Sequence, residues 1–227
     1  MKSLYSLLVL VVLIFSVTGC LKEKKPEIVD AEIIEYKVEY MEKVAGSVPT
    51  NILPRKMTLV FADDKAMNNI EGFFGQFSLT YIADLKARTV TTLLKVFDKK
   101  YYNEGKEDEP PVGITLMNGM ELVKTENREE MINFNAEQYI LHLPNGHSYN
   151  IWGTTDIKIK DPNINTPYKD LDHVLLQFYT ELSVLKMLVK AQKHESRALS
   201  YEIFTVPDDY EEISRENMNK ILEELFK

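Results

Sequence analysis

The chain has 227 residues, of which 44% are hydrophobic and 27% charged, with nine Gly, nine Pro and one Cys. That balance suits one globular domain, or at most two small ones, and excludes both a wholly disordered chain and a disulfide scaffold. A formal charge of −8 argues against a nucleic-acid binder, which needs a basic face to displace counterions from phosphate.

Lys2 precedes an apolar run over residues 7–15, and Val17, Thr18, Gly19 and Cys20 follow it. The run is shorter than the ~20 residues of a bilayer span. A basic start, an apolar core and small residues behind it form the layout of a secretory signal. This stretch resembles the lipobox of bacterial lipoproteins, in which the chain is cut before the Cys and the thiol carries a diacylglycerol. The resemblance implies a signal peptide over residues 1–19 and a lipid on Cys20. No thiol then remains for nucleophilic catalysis, a disulfide or zinc. Two or more acyl chains anchor stably where a single one does not.

Residues 20–30 are charged and aperiodic and read as a lipidated tether, with residues 31–227 as a single domain. Leu21 stands where an aspartate signals inner-membrane retention in some bacteria, and Lys22, Lys24 and Lys25 make the tether basic. The expected site is the outer membrane, facing the periplasm.

In the body, period-2 alternation dominates. Ile34, Tyr36, Val38 and Tyr40 alternate with charged residues; Met57, Leu59 and Phe61, then Phe77, Leu79 and Tyr81, repeat the pattern. Residues 89–97 read as a strand. Asn145-Gly146 between two strand-like runs is a hairpin signal, and Asn118-Gly119 is a second. Residues 103–111 are acidic and proline-ended, an exposed excursion. A helix is predicted over residues 167–182, with Thr166 as cap, Pro167 in the first turn and Leu171, Val174, Leu175, Phe178 and Leu182 on one face. Residues 185–191 favour strand. Leu199, Tyr201 and Ile203 predict another strand, stopped by Pro207. A C-terminal helix is capped by Ser214 and striped by Met218, Ile221, Leu222 and Leu225. The expected fold is α+β: a curled antiparallel sheet of nine to eleven strands, a half-barrel, with two or three helices covering its concave face.

With these elements placed, the chain resembles the lipoprotein-carrier superfamily, the LolA/LolB-like fold, and its families of unknown function. The residues that carry the resemblance are the signal through Cys20, the strand-rich body, Ile132-Asn133-Phe134-Asn135-Ala136, and Ile151-Trp152-Gly153-Thr154-Thr155-Asp156-Ile157. Asn133 and Gly153 depart from the Gly and Tyr common at those places. The resemblance implies a half-barrel around an apolar cavity and assigns no catalytic residue.

Chemical motifs are sparse. His142, His147, His173 and His194 lack metal-ligand spacing, and Gly72-Phe73-Phe74-Gly75 places aromatics where a phosphate loop needs open backbone. Asp161, Asn163, Asn165 and Asp172 echo a calcium loop, but Thr166 replaces its glycine and Lys169 puts a cation at its ninth position. Turn and cap chemistry explains them without a metal. No cofactor, metal or catalytic residue is expected. Phe73, Phe74, Trp152, Leu175 and Phe178 are the candidate cavity residues. The expected function is a non-enzymatic, membrane-tethered protein binding a lipid or a lipoprotein's acyl chain. The alternative is a structural or protein-interaction lipoprotein of the envelope with no small-molecule ligand.

Cys20→Ser is expected to abolish labelling by radioactive palmitate; continued incorporation contradicts the lipobox reading.

Overall fold

The computed structural model describes residues 27–41 and 53–226. The apolar run, Cys20 and most of the expected tether lie outside them. One sheet holds β1 (Ile28–Tyr40), β2 (Lys56–Ala62), β3 (Lys65–Gly72), β4 (Phe77–Asp84), β5 (Thr89–Val96), β6 (Lys99–Glu104), β7 (Glu121–Met131), β8 (Phe134–His142), β9 (Ser148–Thr154), β10 (Val174–Leu182), β11 (Leu185–Ser200) and β12 (Glu211–Glu212). A helix, α1 (Arg215–Phe226), ends the described chain. The strand order is β12-β6-β5-β4-β3-β2-β1-β11-β10-β9-β8-β7. Every neighbouring pair is antiparallel except β12 and β6, which run parallel.

This architecture corrects the expectation of a half-barrel covered by two or three helices. The sheet is a large, mixed, twelve-stranded one, and α1 is the one α-helix among the described residues. Residues predicted as a helix over 167–182 form a loop and then β10. The reason is burial on both sides. Val174, Leu176 and Leu182 join the main core, while Leu175 and Tyr179 join a second cluster with Tyr139, Leu141, Ile151, Tyr168 and Leu171. A strand covered on both faces loses its alternation. A bulge between Leu175 and Gln177 shifts the register as well. The apolar spacing left behind imitates a helical period.

The second Asn-Gly does make a turn, with Met120 N donating to Met117 O at 3.0 Å, but only β7 follows it as a strand. Before it, Ile114 makes one isolated bridge to Leu182. Tyr201 and Ile203, expected in a strand, lie in a 3₁₀ turn over Tyr201–Phe204 whose start is capped by the Ser200 hydroxyl. That turn lets Phe204 cover Ala31, Ile33, Val60 and Leu93 on one face of the sheet. β1 begins at Ile28, inside the segment read as tether.

α1 closes the other face. Ser214 Oγ accepts from Asn217 N at 3.2 Å, as an N-cap should. Met218, Leu222 and Phe226 are fully buried, and the Phe226 ring meets Phe77 edge-on at 5.6 Å. The helix sits close because Gly113, at φ +85, has no side chain. A Cβ there would lie 2.8 Å from Leu222 Cδ1 and 2.9 Å from Leu182 Cδ1.

Gly113→Ala therefore adds both a left-handed backbone and an overpacked contact. The expected loss is about 1–3 kcal/mol, read as a lowered midpoint in urea denaturation; an unchanged midpoint contradicts this packing.

Candidate functional site

The same alternation that builds β2, β3 and β4 turns Met57, Leu59, Ala66, Asn68, Ile70 and Tyr81 toward one space. Leu175 and Phe178 of β10 approach from the opposite wall. Residues 162–168 roof it, leaving a cavity of about 120 Å³ with a largely apolar lining and no charged residue in it.

The roof contains no helix, so hydrogen bonds must hold it. Asn163 Nδ2 donates to the carbonyls of Leu171 (2.6 Å) and His173 (2.8 Å). Asn165 Nδ2 donates to those of Arg88 (3.1 Å) and Glu109 (2.8 Å). Both asparagines are buried. The Tyr168 hydroxyl donates to Tyr179 O at 2.6 Å, and Thr166 Oγ1 donates to Asn163 O at 2.7 Å. The segment that echoes a calcium loop is thus a strap, with two of its amides aimed at backbone carbonyls. Among the described residues, no group of three or more His, Cys, Asp or Glu is placed to hold a metal ion.

Buried phenols tie the walls. Tyr36 OH donates to Leu175 O at 2.7 Å, reaching across β11 to the start of the bulge in β10. Tyr81 OH donates to Val112 O at 2.9 Å. Burial pushes the Tyr36, Tyr81 and Tyr168 hydroxyls far above the usual phenol range. They are neutral donors and do not act as acids or bases near neutral pH.

The five residues singled out in the sequence are not brought together. Leu175 and Phe178 line the cavity. Trp152, on β9, is buried in the main core between Gln138 and Gln177 of the flanking strands. Phe73 leans on Phe77 at 5.8 Å in the turn after β3. Phe74, in the same turn, is 94% exposed with φ 56. Sequence reasoning missed Asn68, Ile70 and Tyr168. Ala66, Asn68 and Ile70 do alternate, but the adjacent Asn68 and Asn69 hide the apolar pattern.

A second constellation lies on the far strands. Glu137 accepts from Lys124 Nζ at 2.6 Å, Arg128 Nη2 at 2.9 Å and His173 Nε2 at 3.1 Å. The Lys124 bond above all, then that of His173, holds the Glu137 carboxyl down to about 2. A bulge in β7 between Lys124 and Arg128 brings both cations to one carboxylate. Gly153 makes room for the imidazole: a Cβ there would lie 2.8 Å from His173 Cβ. A carboxylate so fully engaged is a poor general base, and the cluster reads as a structural ion network.

No protein-family model matches the sequence, nor does any curated protein. Among solved structures, the chain is similar to one titled as PNGF-II in a C2 space group, with a TM-score of 0.54 and 14% identity. The match covers 87% of this chain and 33% of that one, so this chain spans about a third of that protein's length. At that identity the likeness shows fold alone.

Glu137 also sets a pH dependence. Its folded value of about 2 lies below the ~4.3 of an unfolded Glu, so its contribution is complete above ~4.3 and is lost as pH falls toward 2. Solvent screens the partly exposed pair, which limits the effect to about 1 kcal/mol. Glu137→Gln should flatten the stability profile across that window. An unchanged acid slope contradicts the network.

Proposed function

We propose that the protein is a lipid-anchored lipoprotein of the cell envelope that binds an apolar ligand and leaves it chemically unchanged. The observation that carries this reading is the uncharged cavity between Met57, Ile70 and Phe178 beneath the strapped roof. Lipidation at Cys20 supplies the membrane tether in this reading, with the outer membrane, facing the periplasm, as its site. Non-enzymatic binding is supported by the neutral, fully donated phenols around the cavity.

Size narrows the ligand. Sites that enclose a drug-sized molecule span ~300–1,000 Å³, whereas this cavity offers about 120 Å³. An engineered cavity of ~150 Å³ takes up benzene. The occupant is therefore one ring, or the end of an acyl chain whose remainder stays outside.

One feature favours the alternative, an interaction lipoprotein. Phe74 and Phe97 are 94% and 61% exposed. Their two turns are joined by a bond from Phe97 N to Gln76 O. Exposed aromatics on two joined turns suit a protein partner.

Phe178→Ala separates the two. Truncating a Phe in a filled core costs ~3–5 kcal/mol. Over a cavity the expected cost falls below ~3 kcal/mol, and affinity for a fluorescent fatty-acid probe changes severalfold. A full-sized stability loss with no probe binding by either protein supports the interaction reading and contradicts the carrier.

A further inference from the structure

Two adjacent asparagines of β3 have opposite fates. Asn69 faces outward and is fully engaged: its Oδ1 accepts from Ser78 Oγ and Thr80 Oγ1, each at 3.0 Å, and its Nδ2 donates to Glu71 at 3.0 Å. Asn68 faces inward, between Ala66 and Ile70, and lines the cavity. Its Oδ1 is buried with no hydrogen-bond partner. The cross-strand neighbours do not help. Leu59 has no donor, and Tyr81 already donates its hydroxyl to Val112 O.

A buried carbonyl without a donor is costly, and an apolar residue of similar shape would remove that cost. Leu or Val would also fit the alternation of this face. An asparagine there weakens the empty protein and rewards whatever supplies the missing bond. Turning the amide over changes little, because its N–H groups would then be the unmet end.

We infer that Asn68 is a specificity-determining residue of the cavity, selecting neutral ligands whose apolar body carries a hydroxyl or N–H that donates to its carboxamide. This rests on the proposed reading of the cavity as a ligand site and adds the ligand's chemistry to it. Neutrality follows from the lining, which offers no counter-charge to a carboxylate or an ammonium. The volume limits the enclosed part to about one ring. A phenol fits this description. A fatty acid enters only by its methyl end, and then leaves Asn68 unmet.

The test uses the full chain with carbon-13 in its methionine methyls. Met57 and Met187 line the cavity, whereas Met117 and Met218 are buried elsewhere and serve as references. Phenol and benzene are titrated into the wild type and into Asn68→Leu. The measured quantity is the ratio of phenol to benzene affinity, which cancels the change in cavity shape common to both probes. That ratio should fall about three- to tenfold in Asn68→Leu, the range of one ordinary hydrogen bond. The denaturation midpoint of the unliganded variant should rise. Asn68→Ala should give the same fall in ratio if Leu crowds the space. Shifts at Met57 and Met187 with both probes, and a ratio that neither substitution changes, would overturn the role of Asn68 and leave the cavity a binding site. No shift at either methionine with either probe would overturn the cavity reading, and this inference with it.

Discussion

Asn165 is 5% exposed and its Nδ2 reaches two carbonyls that belong to different loops, those of Arg88 and Glu109. With Asn163 and Tyr168, it fixes a stretch of irregular chain over the inner side of β2–β4. Irregular chain is a poor cover for a sheet, because its own polar groups need partners. Here the Asn163 amide satisfies the carbonyls of Leu171 and His173 just beyond the strap, and the Asn165 amide ties the strap to two other loops. The cover is tied down without repetitive structure, and it does not collapse fully onto the sheet. The cavity is what remains beneath it.

The same constraint explains what the sequence disclosed and what it concealed. Strands with one wet face were legible: Tyr36 and Val38 alternate with Lys37 and Glu39, and β1 follows that alternation. The hairpin at Asn145-Gly146 was legible because turn chemistry is local, and Gly146 has φ +85. The terminal helix was legible from its cap and stripe. β10 was not, since Leu175 and Leu176 join different core clusters and the bulge between Leu175 and Gln177 breaks the register. A helix wrongly placed there produced a half-barrel with helical cover. Asn163 and Asn165 were read as turn residues, which they are, but their long-range partners Arg88 and Glu109 leave no trace in local spacing.

Of the candidate site, Leu175 and Phe178 were found by their apolar character, although on a strand and not on the expected helix. Phe73, Phe74 and Trp152 were chosen for the same character and lie elsewhere. Asn68 stands in period with Ala66 and Ile70, but an inward asparagine becomes informative only once its unpaired carbonyl is seen. Membership of a cavity is decided by tertiary packing, so aromatic content alone identifies it badly. The likeness to a third of a longer solved chain adds that this sheet recurs in a protein of different length.

The proposed ligand binding depends on an open, largely apolar space persisting under the strapped roof. Diffraction from crystals of the protein pressurised with xenon tests it most directly, because xenon enters empty apolar cavities and avoids filled ones. The account predicts a xenon peak between Ile70 and Phe178, within contact of the Met57 and Met187 side chains. Ordered side chains filling that space, with no xenon there, would contradict it.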